Sequence, residues 1–367
     1  MEDNKKARVL ALYLPQFHPI PENDLWWGKG FTEWTNVGKA KKYFRNHYQP
    51  RVPADLGYYD LRLPETRQAQ ADMAKDHGIE GFIYWHYWFG NGKRLLERPF
   101  EEVLESGKPD FPFALAWANE SWKGFAYGLK DRNVLIEQLY PGNDDNIAHF
   151  YKLLPALKDR RYITVDGKPL FMIFKPQQLP YPKQFIDLWQ MLAKQNGIND
   201  GIYFVGHSQL DPDPWSLADY LVNGFDAVHY VQLSAFYKEQ GLLIRGYKKL
   251  LSTYLRWTPR TVYYRDLVRY WSNNIGREET YIPSIIPGWD HSPRSGIEGL
   301  ILHNSTPNLF KTHVKKVIES VKEKPLEKRL VIIKSWNEWA EGNYMEPDLK
   351  WGLQFLEVLK EELYNGL

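Results

Sequence analysis

Two carboxylates three residues apart, Glu338 and Glu341, lie near the C-terminus in the run Trp336-Asn337-Glu338-Trp339-Ala340-Glu341-Gly342. Cleaving a glycosidic bond needs a proton for the departing oxygen and a second carboxylate that assists at the anomeric carbon. This pair can supply both. Neighbouring carboxylates also resist simultaneous ionisation, which pushes one toward the protonated state a general acid requires. An isolated Glu-x-x-Glu spacing carries little, since Glu338 could be a buried hydrogen-bonding group and Glu341 a helix-start charge. Position adds the weight. The preceding Leu330-Val331-Ile332-Ile333 has the unbroken apolar character of a strand buried on both faces. Delivering Asn, Glu and Trp at the C-terminal end of such a strand is what an α/β barrel does at its active mouth.

If this is the eighth strand, seven must precede it. Short apolar runs at 8–14, 81–86, 113–117, 169–174, 202–206, 226–230 and 282–286 fit. Helical patterns separate most of them: one from Pro64 to Gly78 with Ala69, Met73 and Ala74 inward, then 93–106, 146–158 and 182–195, another opened by Thr306-Pro307, and a last one carrying Leu353, Leu356, Leu359 and Leu363. The alternation predicts an α/β fold, a single (β/α)8 TIM barrel over residues 1–367 with long βα-loop insertions. One insertion runs to about Tyr59 and is read as a wall of the cleft. A second, 231–279, carries Arg245, Lys248, Lys249, Arg256, Arg260, Arg265 and Arg269. It could meet an anionic glycan, a lipid-linked saccharide or a membrane surface, or be two ordinary solvated helices.

In such a barrel the residues after each strand converge on one face. They place Gln16, His18, Trp85, His86, Asn119, Glu120, His207, Tyr230, Trp289, Asp290 and Asn337 beside the two glutamates, with Glu33, Trp34, Trp117, Trp122 and Trp336 close by. Rings suit the apolar faces of a sugar, and amides and carboxylates its hydroxyls. Glu120 competes for an acid/base role but is read as a binding group. His86 and His207 either bind substrate or are structural.

Composition agrees. Aromatics reach 16%, with 15 Trp and 24 Tyr; a large aromatic core takes more than half of them, and Trp beside polar residues at strand ends favours a groove that stacks on sugars. The 47 basic and 45 acidic residues leave +2, so no bulk charge draws the chain to nucleic acid. Cysteine is absent, which excludes disulfides and thiolate chemistry. No stretch approaches a membrane span, and the start lacks a signal peptide's apolar run. The expected compartment is therefore the cytoplasm, or the periplasm or exterior if a leader has been removed. No cofactor is called for, and no metal: neither His-x-His nor His-Glu-x-x-His spacing gathers Asp290, His291, His207 and His86.

The run from Trp336 to Gly342, followed by Glu346-Pro347, resembles the Asn-Glu-Trp-x-Glu-Gly signature of family-99 glycoside hydrolases, barrel enzymes that cleave within α-mannoside chains with retention. The whole chain is similar to the family-99-like group called WbsX, found in polysaccharide loci. Leu12-Tyr13-Leu14-Pro15-Gln16-Phe17-His18, Gly30-Phe31-Thr32-Glu33-Trp34-Thr35-Asn36 and Trp117-Ala118-Asn119-Glu120-Ser121-Trp122 carry that likeness from end to end. The resemblance implies that Glu341 is the general acid/base. It implies that Glu338 deprotonates the sugar 2-hydroxyl, which attacks its own anomeric carbon to give a 1,2-anhydro intermediate. The N-terminal motifs depart from those of the mannosidases, which leaves the sugar open.

Members of this group have also been labelled glycosyltransferases from their genomic company. That reading requires a nucleotide-sugar site, and no Gly-x-Gly-x-x-Gly or Gly-x-x-x-x-Gly-Lys follows a strand. Asp211-Pro212-Asp213 has the carboxylate spacing of a metal site, in what reads as a stiff surface turn. A non-catalytic carbohydrate-binding barrel would keep the aromatic mouth but would not need Glu338 and Glu341. The expected reaction is retaining, endo-acting glycoside hydrolysis of a polysaccharide or oligosaccharide.

Overall fold

Eight short segments, each nearly continuous in Val, Ile, Leu, Phe and Ala, cannot show an apolar face to water on either side, so they close on one another. A computed structural model describes residues 5–124, 133–209, 213–233, 246, 247, 250 and 260–364. In it the strands β1 (Arg8–Tyr13), β2 (Gly81–His86), β3 (Phe113–Trp117), β4 (Lys168–Ile173), β5 (Tyr203–Ser208), β6 (Ala227–Tyr230), β7 (Tyr281–Ile285) and β8 (Leu330–Ile333) pair in parallel. The ring closes between β8 and β1, with Arg8 opposite Leu330 and Ala11 opposite Ile333. Every residue of β8 is buried, as is every residue of β2 and β3.

A helix follows each strand: α1 (Pro64–Asp76), α2 (Arg98–Ser106), α3 (Asn143–Leu157), α4 (Pro182–Gln195), α5 (Leu217–Val222), α6 (Tyr264–Asn274), α7 (Pro307–Val321) and α8 (Gln354–Tyr364). Local chemistry sets their limits. Proline stands in the first turn of α1, α2, α4 and α7, where its missing N–H costs nothing. Thr306 caps α7 by accepting from the Leu309 N–H.

Some boundaries differ from the sequence reading. α2 begins at Arg98 rather than near residue 93, because Trp88 and Arg94 bridge across a turn in which Asn91 holds positive φ, and Leu96 just beyond it holds positive φ as well. β5 extends through His207 and Ser208, placing that histidine inside the strand. On α1, Ala69 is exposed; the inward face is Arg67, Gln70, Ala71 and Ala74. That face is partly polar because Gln70 serves a buried carboxylate, as shown below.

The insertions are structured where described. The segment after β1 carries the helices Pro21–Trp27 and Glu33–Gly38. After β7, Leu300–His303 pairs in parallel with Arg260–Tyr263, a two-stranded addition that the sequence reading lacked. Beneath it Val262, Leu267, Trp271, Ile286 and Leu302 form a second small core. Arg245, Lys248, Lys249 and Arg256 lie outside the described residues, whereas Arg260, Arg265 and Arg269 are exposed. Among the described residues no helix is long and apolar enough to cross a membrane.

Candidate active site

After Ile333 the chain leaves the barrel wall and folds back on itself. Asn337–Glu338 pairs antiparallel with Asn343–Tyr344, and a tight turn of Trp339–Glu341 joins them. Gly342 closes this turn at φ 58°, a region that favours glycine. A Cβ there would also meet Asp290 Cβ at 2.6 Å, so the position excludes side chains twice over. The turn is held from outside: the Asp290 N–H donates to the Glu341 carbonyl at 2.6 Å, and Arg51 Nη1 to the Gly342 carbonyl at 3.0 Å.

Both glutamates line one cleft of about 260 Å³ with Leu14, Gln16, Trp85, Tyr87, Ala118, Glu120, Trp122, Phe174, Gln209, Trp289, His291, Arg294 and Lys334. Each carboxylate has its own cation. Glu338 is buried; it accepts from Trp85 Nε1 at 3.1 Å and pairs with Lys334 Nζ at 3.0 Å. The Lys334 ammonium lies 5.8 Å from the Trp85 ring centre and 5.5 Å from that of Trp289, so two cleft rings help to hold it. Glu341 is more open and pairs with Arg294 Nη1; His291 Nε2 stands 3.9 Å from it. Burial, with Arg294 close by, lowers His291 to about 4, so its imidazole is neutral at neutral pH.

Arg294 serves a second acid. Its Nε and Nη2 reach Glu33 Oε2 at 3.1 and 3.0 Å, and Glu33 is fully buried. One guanidinium therefore stands between two carboxylates. Burial raises the Glu33 carboxyl above its ordinary value, against the opposing pull of Arg294. Glu33 is thus a third acid behind the pair, its own carboxyl pushed toward protonation.

The remaining residues singled out by sequence divide into groups. Gln16, Trp85, Glu120, Trp122 and Trp289 line the cleft with the two glutamates, and Glu120 is engaged by Lys175. Others lie behind its surface and brace it. Asn337 accepts from the Leu14 N–H at 2.7 Å and donates to its carbonyl at 3.0 Å, pinning β1 to the turn. Asn119 likewise joins the ends of β3 and β4 through the backbone of Lys175. Asp290 is fully buried under His47 Nε2, Gln49 Nε2 and the Ser292 N–H. Trp34 donates to the Tyr59 carbonyl, and Trp117 to that of Trp88.

His18, His86, His207, Tyr230 and Trp336 also stand off the cleft surface. His86 faces a separate cavity between α2 and α3 and meets His149 at 2.9 Å. His207 meets His229, which meets Ser284. Burial lowers His18 to about 4 and His86 to about 3, so both are neutral. Tyr230 stacks on Tyr281. Trp336 is fully buried, its ring 5.2 Å from that of Phe82. Asp213 is occupied by Gln177 and Tyr220, and Asp211 lies outside the described residues. Among the described residues no group of three or more His, Asp or Glu is arranged to hold a metal ion.

Sequence reasoning left out Tyr87, Phe174, Gln209, His291, Arg294 and Lys334 as binding residues. Lys334 and His291 follow strand runs, so the strand-end rule applied evenly would have included them. Arg294 gives no such signal, because its meaning depends on Glu33, distant in sequence.

A family model described as "Glycosyltransferase WbsX" matches residues 9–359. The "Uncharacterized protein WxcX" of two Xanthomonas campestris pv. campestris strains is 35% identical over 360 residues, covering 97% of this chain and 50% of that protein. The chain thus spans about half the length of the curated relatives it matches. A solved "Glycoside hydrolase-like protein" superposes with a TM-score of 0.60 at 17% identity, covering 99% of this chain and 95% of that one. The GH99 endo-alpha-mannosidase from Bacteroides thetaiotaomicron superposes with a TM-score of 0.56 at 16% identity, covering 97% and 95%. At such identities the likeness establishes the shared barrel.

Proposed function

This chain belongs to the WbsX family, and from that premise we propose that it is a retaining, endo-acting glycoside hydrolase, its barrel acting as one catalytic domain on a polysaccharide or oligosaccharide. The observation that carries the reading is the pairing of Glu338 and Glu341 in one cleft rimmed by Trp85, Trp122 and Trp289. Rings and carboxylates in that proportion fit a sugar ring, with stacking for its C–H faces and acceptors for its hydroxyls.

In the proposed reaction Glu341 gives its proton to the departing glycosidic oxygen, and Arg294 stabilises the carboxylate that remains. Glu338, oriented by the Trp85 indole and the Lys334 ammonium, takes the proton of the sugar 2-hydroxyl. The freed oxygen bonds to the anomeric carbon as the glycosidic bond breaks. Water then opens this 1,2-anhydro ring: Glu341 takes a proton from the water, and Glu338 returns one to O2. Two displacements leave the configuration retained.

The family name supplies a second reading, transfer from a nucleotide-sugar donor. Two assays separate them. Incubated with a panel of bacterial surface polysaccharides and no nucleotide, the protein is expected to release new reducing ends. No release from any member, together with donor-dependent transfer of sugar, would replace hydrolysis with transfer.

A further inference from the structure

A cavity larger than the cleft, about 840 Å³, lies against the same turn. The two share a wall. Glu341 faces the cleft, whereas Gly342 and Asp290 face the larger space. Nothing in the proposed reaction uses it.

Its charge is informative. The carboxylates on its lining are already engaged from within the protein. Asp348 accepts the Tyr344 hydroxyl at 2.6 Å and the N–H groups of Lys350 and Trp351 at 2.9 and 2.7 Å. Glu346 accepts from Tyr59, Gln70 and Trp339, and Asp290 is occupied as described above. The cations are held differently. The Lys350 ammonium lies 4.6 Å from the ring centres of both Tyr48 and Trp351. The Arg51 guanidinium lies 5.5 Å from those of Tyr48 and Tyr344, and reaches Asp290 only at 3.9 Å. A cation on a ring face is stabilised without losing its charge, and the three carboxylates are only 0–4% exposed, so the charged groups that reach the cavity are the cations. Exposed Lys42 adds to them at the rim, and Asn46 and Asn304 bring neutral amides.

We infer that this cavity is a second binding site, which takes an anionic saccharide: a stretch of glycan bearing carboxylate or sulfate groups. The volume is that of a site for a molecule of drug size rather than a lone inorganic anion, and the polar lining is unsuited to a lipid chain. A nucleotide fits less well, because the Tyr48 ring already carries both cations and is a poor platform for a base. The ligand class rests on the carbohydrate reading proposed above; the cavity and its charge do not.

Calorimetric titration of the full chain tests this with trigalacturonate and a chondroitin sulfate tetrasaccharide. At least one should bind, more weakly as salt is raised, and the carboxyl-reduced trisaccharide should not. The double substitution Lys42→Gln/Lys350→Gln should weaken binding at least tenfold, while Glu338→Gln leaves it unchanged. Failure of both acidic ligands, equal binding of the neutral one, or an unaffected lysine variant would overturn the proposal. So would displacement of the bound saccharide by a nucleotide diphosphate-sugar, which would make this a donor site. Lysine-dependent binding without hydrolysis would remove the catalytic reading alone, and hydrolysis without such binding would remove this one alone.

Discussion

Arg294 joins Glu33 to Glu341, so its loss acts on both stability and chemistry. Arg294→Met leaves a fully buried carboxylate without its cation, and breaking a buried pair from one side costs about 3–5 kcal/mol. We expect a fall of that order in the free energy of unfolding, read by denaturant titration, together with loss of turnover. A stability change under about 1 kcal/mol would show that water or other groups support Glu33. At this scale the sequence exposed about half of the residues that line the candidate cleft. Glu338 and Glu341 were legible because a post-strand run carries its own context. Arg294, Lys334 and their pairings were not, because an ion pair between Glu33 and Arg294 leaves no trace in either residue's neighbours.

Glu346 links three elements, accepting from Gln70 of α1 at 2.6 Å, from Tyr59 of the first insertion at 2.9 Å and from Trp339 of the turn after β8 at 2.6 Å. Burial outweighs these donors and pushes its carboxyl up to about 7. A carboxyl raised in the folded state binds its proton more tightly there than in the unfolded chain. Its contribution is therefore full below the unfolded value near 4.5 and is lost as pH rises through about 7. The shift corresponds to about 3 kcal/mol. Unfolding free energy should fall between pH 5 and 8, and Glu346→Gln should flatten that slope, with Glu33, also raised by burial, leaving a slope of the same sign. An identical pH profile in the variant would remove Glu346 as the source. The element pattern was largely readable, since apolar runs and proline or glycine stops mark strands and helices directly. The inner face of α1 was misread because Gln70 turns inward toward a carboxylate far along the chain, and apolar periodicity does not register a polar partner.

Across the whole molecule, barrel closure brings β8 beside β1 and lets the loops after β1, β3, β7 and β8 meet at one mouth. That convergence was predictable from the alternation of strands and helices. The second cavity was not, since it is built from three loops whose residues carry no shared pattern. The central claim is that two glutamates on the turn after β8 break a glycosidic bond. The most direct measurement compares wild type with Glu338→Gln and Glu341→Gln on a polysaccharide that wild type cleaves, with thermal melts to show intact folding. We predict that each substitution lowers the rate of reducing-end release by roughly 10²–10⁴-fold with both variants still folded at the assay temperature, Glu338→Gln melting below wild type because it leaves the buried Lys334 without its carboxylate. A folded variant of either kind that cleaves at the wild-type rate would contradict the account.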